Sequence, residues 1–267
     1  MGQSCTRVEY VEDYFVVDEV GVTLPARSYT KFGWKKDTPD FRDRVLALPE
    51  SQVTGLPPKV DLRPKENLQI YDQGNLGSCT ANALAAAFHF SQVRQGLKSF
   101  PPARLFIYYN ERSMEGNPDV DCGAYMRDGV KSLHRIGVCS EEAWAYDINK
   151  FTDKPSPDCY SAATKNQCLE YARVPQTLDD LKAALNEGLP ICFGFIVCRS
   201  FMTREVASTG IMCMPQANDR PLGGHAVMAV GYEDERKCFI VQNSWSSRWG
   251  DHGYFYMPYD YMTSDAL

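Results

Sequence analysis

The clearest apolar pattern along the chain begins just after Ser78 and has the spacing of a helix. The apolar positions are Ala81, Leu84, Ala85, Phe88 and Val93. Ser78 can cap the first turn of such a helix, and Gly96 can end it. The pattern therefore predicts a long, buried helix with Cys79 in its first turn.

Shorter helical patterns and then strand patterns follow. The helical segments are residues 103–111, 125–135 and 178–187. After Pro190, residues 191–197, 226–232, 239–242 and 254–257 are rich in β-branched and aromatic side chains, which predicts strands. This order predicts an α+β fold, with a mainly helical lobe over 57–170 that carries Cys79 and a mainly antiparallel β lobe over 171–267.

The first 56 residues show neither a helical nor a strand-like apolar pattern over more than a few residues. Short β-prone pieces such as residues 14–17 precede a polar, proline-containing stretch at residues 34–40, and the segment ends at Leu56-Pro57-Pro58. We interpret residues 1–56 as an arm or pro-segment appended to the two lobes.

Composition narrows the classes of function. The chain has 267 residues, a net charge of -6 and no block of Lys and Arg that could follow phosphates, so nucleic acid is not an expected partner. No apolar run approaches the roughly 18 residues that would span a bilayer. Residues 1–10 lack the basic flank and hydrophobic stretch of a secretory signal.

The ten cysteines are expected to remain thiols, because a chain of this length without an export signal is more typical of a reducing compartment such as the cytoplasm. No Cys-x-x-Cys pair occurs, and the four histidines have no ligand-like spacing with cysteine. The sequence thus predicts neither a metal site nor a cofactor.

The amino terminus fits a processing signal. Residues 1–6 match the Met-Gly-x-x-x-Ser/Thr pattern for acylation of Gly2, and Cys5 is placed for a second acyl chain. The alternative is a chance match in an unstructured start. A single acyl chain would anchor the protein to a membrane only weakly.

Four residues point to acyl-transfer chemistry. A helix N-terminus favours the thiolate of Cys79. His225 and Asn243 flank a predicted hairpin centred on Asp234, and without a bulge they would be directly opposed, with Cβ atoms about 5 Å apart. Gln73 lies in a glycine-containing loop before the helix, where its amide and the Cys79 N–H could form an oxyanion hole.

These residues stand in motifs that resemble the papain-like cysteine peptidases, and among them the disulfide-poor bacterial, archaeal and large-DNA-virus members. The motifs are Val60-Asp61-Leu62-Arg63, residues 73–79, residues 223–227, Asn243-Ser244-Trp245, Trp249-Gly250 and Gly253-Tyr254. The resemblance implies two lobes with an active-site cleft between them and an endopeptidase that hydrolyses peptide or protein substrates through a thioester. It implies that Cys79 is the nucleophile, His225 the base and Asn243 its orienter, with Gln73 as oxyanion donor.

The resemblance also suggests how substrate binds. Gly123, Ala124 and Tyr125 match the wall that pairs with the substrate main chain, and Ala124 replaces a glycine there. The positions expected to line the cleft and its main specificity pocket are Gly194, Gly224 and Ala226, and Trp245 matches an indole that shields the His–Asn bond. The arm occupies the place of a pro-segment that blocks the cleft, so autoinhibition is expected.

Departures from the family pattern bear on the cellular location. Leu76 stands where secreted relatives have a disulfide cysteine, and Thr80 replaces the usual aromatic residue after the nucleophile. The missing bridge favours a reducing compartment, which for a viral protein would be the host cytosol or the virion.

Two other functions stay open from the sequence. A Cys–His–Asn set could transfer acyl groups to amines, as transglutaminase-like enzymes do, and the cleft could be a non-catalytic peptide-binding module.

Overall fold

The computed structural model describes residues 31–63 and 69–267, together with the backbone of two short antiparallel strands, β1 (Val16–Val17) and β2 (Thr23–Leu24). Gly2 and Cys5 lie outside the described residues, so their acylation stays a prediction. No helix in the described part of the chain is long and apolar enough to cross a membrane.

The helices lie close to the predicted positions. They are α1 (Glu50–Val53), α2 (Cys79–Arg94), α3 (Arg104–Met114), α4 (Met126–Arg135), α5 (Pro157–Ala163), α6 (Leu178–Asn186), α7 (Arg204–Thr209) and α8 (Tyr259–Met262). The four helices predicted from apolar spacing are α2, α3, α4 and α6, and they are confirmed to within three residues at each end.

The role predicted for Ser78 was wrong. Ser78 precedes helix α2, but its side chain makes no capping hydrogen bond. Its hydroxyl instead lies 2.6 Å from the Tyr146 hydroxyl and accepts from the Asn82 side-chain amide at 3.0 Å. The distant Tyr146 and the nearby Asn82 side chain therefore take the oxygen that a cap would have used.

The described strands form one main sheet and two short pairs. The elements after β2 are β3 (Trp34–Lys35), β4 (Lys59–Asp61), β5 (Ala124–Tyr125), β6 (Ile191–Cys198), β7 (Pro221–Glu233), β8 (Cys238–Gln242) and β9 (Tyr254–Pro258). The short pairs are β1 with β2 and β3 with β5. The five-stranded sheet has the order β4-β7-β8-β9, and β6 pairs with another part of β7. All its pairings are antiparallel, which confirms the predicted β lobe.

Strand β7 lies between two hydrophobic cores. Ala226 and Met228 belong to the core that contains helices α2 and α3. Val227 and Ala229 belong to the second core, which contains residues of β6, β8 and β9. This alternation follows from the two-residue period of a strand, which sends successive side chains to opposite faces. The molecule is therefore an α+β fold of two lobes that share β7.

The arm docks on both lobes through backbone and ionic contacts. Strand β3 pairs in parallel with β5. The Arg127 guanidinium donates two hydrogen bonds to Asp43, at 2.9 and 2.7 Å. Farther along, the Leu46 N–H donates to the Arg173 carbonyl at 2.8 Å. The described part of the arm is thus held at several separate points.

Glu111 is a fully buried acid at the packing of helices α2, α3 and α4. Its Oε2 accepts a hydrogen bond from the Thr80 hydroxyl at 2.8 Å, and a Cβ added at Gly129 would overlap its Oε1. Burial raises the pKa of Glu111 well above its usual value of 4.5, and the Thr80 hydrogen bond acts in the opposite direction. The folded protein therefore keeps Glu111 protonated where the unfolded chain has lost the proton.

Raising the pH is expected to destabilise the protein through Glu111, by up to about 1.4 kcal/mol per pH unit. Because the pKa of Glu111 is raised in the folded protein, the stability that this residue contributes is fully present below the usual pKa of 4.5. That contribution is lost as the pH rises toward the pKa of Glu111 in the folded protein. Glu111→Gln should flatten this dependence in urea unfolding measured between about pH 5 and pH 8. The exposed Glu142→Gln is the control. If the free energy of unfolding changed with pH equally in wild type and Glu111→Gln, the raised pKa of Glu111 would be contradicted.

Candidate active site

Cys79 begins helix α2 and is completely buried beneath the arm. Backbone groups of Gly33, Ala226 and Thr80 lie next to its sulfur. Burial raises the pKa of the Cys79 thiol to about 12, and the hydrogen bonds from these backbone groups act in the opposite direction. With the arm in place, Cys79 is therefore a neutral thiol at physiological pH.

His225 on β7 and Asn243 just after β8 are joined by a hydrogen bond. His225 Nε2 lies 2.8 Å from Asn243 Oδ1. Since an amide oxygen can only accept, Nε2 carries the proton and Nδ1 has the lone pair. Nδ1 is buried and has no hydrogen-bond partner within the described residues. The ring is thus held in the tautomer that can take a proton at Nδ1.

The pKa of His225 is lowered to about 4, because burial disfavours the imidazolium. The hydrogen bond to Asn243 favours the charged form but does not offset the burial. In the covered site, therefore, both the thiol of Cys79 and the imidazole of His225 are neutral.

The predicted direct opposition of His225 and Asn243 was wrong in register. Met228 pairs with Gln242, and extending this pairing places Asn243 opposite Val227. The hairpin turn is centred between Glu235 and Arg236 and not on Asp234, because Glu233 pairs with Cys238, and a bulge between Ala229 and Gly231 then moves the register by one residue. Without the extra residue, Asn243 would have faced Met228, on the other side of the sheet. The bulge therefore puts Asn243 on the same face as His225, as a diagonal neighbour.

Trp245 covers the His225–Asn243 pair. Its ring stacks on the imidazole with centroids 4.8 Å apart and an interplanar angle of 25°. Trp249 meets Trp245 edge to face at 5.1 Å, and Phe201 packs on it at 5.6 Å. Trp245 is itself buried, so this aromatic group covers the hydrogen bond between His225 and Asn243.

Gln73 is buried in the loop that leads into helix α2. Ser244 fixes its orientation, since the Ser244 hydroxyl donates to Gln73 Oε1 at 2.7 Å. Gln73 Nε2 then donates to the Leu76 carbonyl at 3.0 Å and to the arm's Lys31 carbonyl at 3.4 Å. The amide nitrogen therefore faces a main-chain carbonyl within the cleft.

Sequence analysis missed the residue that holds this loop. Arg104 donates to the Asp72 carbonyl and to the Asn82 side chain, each at 3.1 Å. Its guanidinium lies between the rings of Tyr71 and Tyr146, 4.5 and 3.8 Å from their centroids. Arg104 stands at the start of a predicted helix, where the sequence offers no signal that its side chain will be buried.

The arm lies directly over the predicted substrate-binding residues. The Gly33 carbonyl accepts a hydrogen bond from the Ala124 N–H at 2.8 Å. A Cβ at Gly123 would overlap the Gly33 carbonyl oxygen, and a Cβ at Gly194 would overlap the Trp34 indole. The wall and the expected pocket are thus brought together around one stretch of the arm.

The remaining predicted residues surround the same stretch. A Cβ at Gly224 would lie 2.7 Å from the Trp34 ring. Ala226 borders the sulfur of Cys79 through its backbone. Tyr125 packs under the Lys35 ammonium, which is 5.4 Å from the ring centroid. These three residues, like Gly123, Ala124 and Gly194, therefore lie around residues 33–35 or Cys79.

Nine cysteines fall in the described part of the chain, and all nine are free thiols. Leu76 is buried in the helical core. No group of three His, Cys, Asp or Glu side chains that could hold a metal ion occurs within residues 31–63 and 69–267.

Comparisons with known proteins agree with this geometry. The family described as "Papain family cysteine protease" matches residues 56–264. An uncharacterized peptidase C1-like protein of Acanthamoeba polyphaga mimivirus is 42% identical over 260 residues, which cover 88% of this chain and 84% of that protein. Pro-cathepsin H of Medicago truncatula is 29% identical over 270 residues, covering 89% of this chain and 69% of that protein.

Solved structures agree as well. Xylellain, a cysteine protease from Xylella fastidiosa, matches with a TM-score of 0.84 and 43% identity, covering 92% of this chain and 96% of that one. Digestive procathepsin L 3 of Tenebrio molitor shares the fold, with a TM-score of 0.67 at 20% identity over 88% of this chain and 72% of that one. The peptidase interpretation is thus confirmed over amine acyl transfer and over a non-catalytic binding module. The chain belongs to the papain family of cysteine proteases.

Proposed function

We propose that this protein hydrolyses peptide bonds with Cys79 as nucleophile and His225 as general base and acid. The observation that carries the proposal is the hydrogen bond from His225 Nε2–H to Asn243 Oδ1, 2.8 Å long, which leaves Nδ1 of a buried imidazole without a partner among the described residues. A base that is oriented by a third group is the usual requirement for activating a thiol.

The reaction then has two halves. His225 Nδ1 takes the Cys79 proton, the sulfur attacks the peptide carbonyl, and the leaving amine receives that proton as the C–N bond breaks. Water attacks the resulting thioester, giving its proton to His225, and the acid product leaves as the thiol is re-formed. In both halves the oxyanion is held by Gln73 Nε2 and by the N–H of Cys79.

The arm is proposed to inhibit the enzyme. Three features support this: Gly33 borders the Cys79 sulfur, Lys31 presents its carbonyl to Gln73, and Trp34 lies over Gly194. An occupied cleft excludes substrate. It also excludes water, and the desolvated thiol and imidazole are then neutral.

The substrates are proposed to be extended peptides or protein segments. The wall offers the Ala124 N–H to a main-chain carbonyl, as it does to that of Gly33. The absence of a side chain at Gly194 leaves room for a ring as large as that of Trp34. A reducing compartment is proposed as the site of action, since Leu76 cannot form the disulfide of secreted relatives.

Cys79 in the full chain should react slowly with a thiol-directed epoxide. With a pKa of about 12, the thiolate is only about one part in ten thousand at pH 8. The exposed Cys213 is an internal reference within the same molecule. Site-resolved mass spectrometry should show Cys213 labelled well before Cys79. Faster labelling of Cys79 would contradict burial by the arm.

Gly33→Val should raise the peptidase activity of the full chain. A Cβ at this position would overlap the Gly77 carbonyl oxygen, so the arm cannot keep its place. We expect a gain of about tenfold or more on a fluorogenic peptide, which corresponds to a loss of about 1.4 kcal/mol of arm binding. Phe41→Ala, at a fully exposed position of the same arm, should change nothing. Adding Cys79→Ala should abolish the activity. Equal rates for wild type and Gly33→Val would reject inhibition by the arm.

In the Gly33→Val chain, Gln73→Ala should lower kcat by about 100- to 1000-fold, the usual effect of removing an oxyanion donor. Ser244→Ala should lower kcat less, because it frees the orientation of Gln73 but keeps its N–H. Steady-state kinetics separates the two effects, since KM should change little in either variant. A Gln73→Ala chain with unchanged kcat would remove Gln73 from the mechanism.

A further inference from the structure

The loop before the nucleophile is joined to the opposite wall of the cleft by one carboxylate. Asp121 Oδ1 accepts a hydrogen bond from the Gly77 N–H at 3.0 Å and another from the Tyr108 hydroxyl at 2.6 Å. The Tyr108 hydroxyl also accepts from the Gly123 N–H at 3.2 Å. One acid and one phenol thus connect the nucleophile loop, helix α3 and the substrate-binding wall.

This connection is buried and closely packed. The Asp121 side chain is 9% exposed, and Tyr108 is fully buried. A Cβ at Gly77 would lie 2.9 Å from Asp121 Oδ1, so the carboxylate rests against the Gly77 backbone. Burial and the neighbouring carboxylate raise the pKa of Tyr108, so its hydroxyl stays protonated and donates a hydrogen bond to Asp121.

The same carboxylate contacts the arm through its other oxygen. Lys31 Nζ lies 2.7 Å from Asp121 Oδ2, and the Lys31 side chain is 46% exposed. The arm therefore gains an ion pair with the group that holds the nucleophile loop. The two oxygens have separate partners, so substitutions can separate their effects.

We infer that Asp121 is a positioning residue: its Oδ1 fixes Gly77, and through it Cys79, against the wall, while its Oδ2 anchors the arm through Lys31. Gly77 precedes Cys79 by two residues, and no disulfide supports this loop, since Leu76 takes the place of a bridging cysteine. The hydrogen bond from Gly77 to Asp121 thus holds the loop in place of a disulfide. The inference rests on the proposed peptidase function.

The test uses the full chain carrying Gly33→Val, so that the cleft is open. Asp121→Ala should lower kcat by about 10- to 100-fold, the effect of a small misplacement of a reacting group, with KM within about threefold. Asp121→Asn keeps an oxygen acceptor for Gly77 and should retain most of kcat. The kcat of Tyr108→Phe should lie between those of Asp121→Ala and Asp121→Asn. Asp153→Ala, at an exposed position, should leave kcat unchanged.

With Gly33 intact, Asp121→Asn and Lys31→Met should each raise the low activity of the full chain, because the ion pair to the arm is lost. Lys59→Met, which removes an exposed ion pair with Glu233, is the matched control.

Amide hydrogen exchange gives a readout that needs no peptidase activity. The Gly77 N–H should lose protection in Asp121→Ala and keep it in Asp121→Asn, with Gly33 intact. Unchanged kcat and protection in Asp121→Ala, or an Asp121→Asn chain as impaired as Asp121→Ala, would overturn the inference. An inactive Gly33→Val chain with these exchange results would instead overturn the proposed function alone.

Discussion

Strand β7 is the element on which the rest of this structure depends, because it is shared by both hydrophobic cores. Its successive side chains enter the helical core and the sheet core in turn, so neither lobe can move without disturbing β7. His225 lies on this strand, so the packing that fixes β7 also fixes the backbone of His225. The bulge after Ala229 then sets the register that brings Asn243 to the same face. A reactive imidazole is thereby held in one orientation by packing on both sides.

The second constraint is electrostatic. Covering Cys79 and His225 removes water from both, and each group alone is then more stable without its charge. A thiolate and an imidazolium would stabilise each other, but both need solvent or substrate dipoles nearby. The arm that covers these two residues therefore also favours their neutral forms. The inhibition that we propose is both steric and electrostatic, and both effects rest on the same contact.

Polar cross-links, and no disulfide among the described residues, hold the loop that leads into Cys79. Arg104 holds the Asp72 carbonyl, Ser244 holds the Gln73 side chain and Asp121 holds the Gly77 amide. Each of these partners comes from a different part of the chain. Hydrogen bonds buried in this way are costly to break, because the groups left behind would lack water as well as a partner.

The sequence by itself determined the elements and the chemistry. Apolar spacing located helices α2, α3, α4 and α6 and the strands after Pro190. Motif order identified the family and pointed to four candidate site residues. Such local patterns are readable because each depends on residues a few positions apart. Only the tertiary structure decided where the bulge that aligns Asn243 lies. It also decided that the Ser78 hydroxyl contacts Tyr146 and does not cap helix α2. It alone decided the burial of Arg104 and the contacts of Asp121 and the arm. These features join residues far apart in sequence, and their free energy comes from burial and from partners that exist only once the chain has folded.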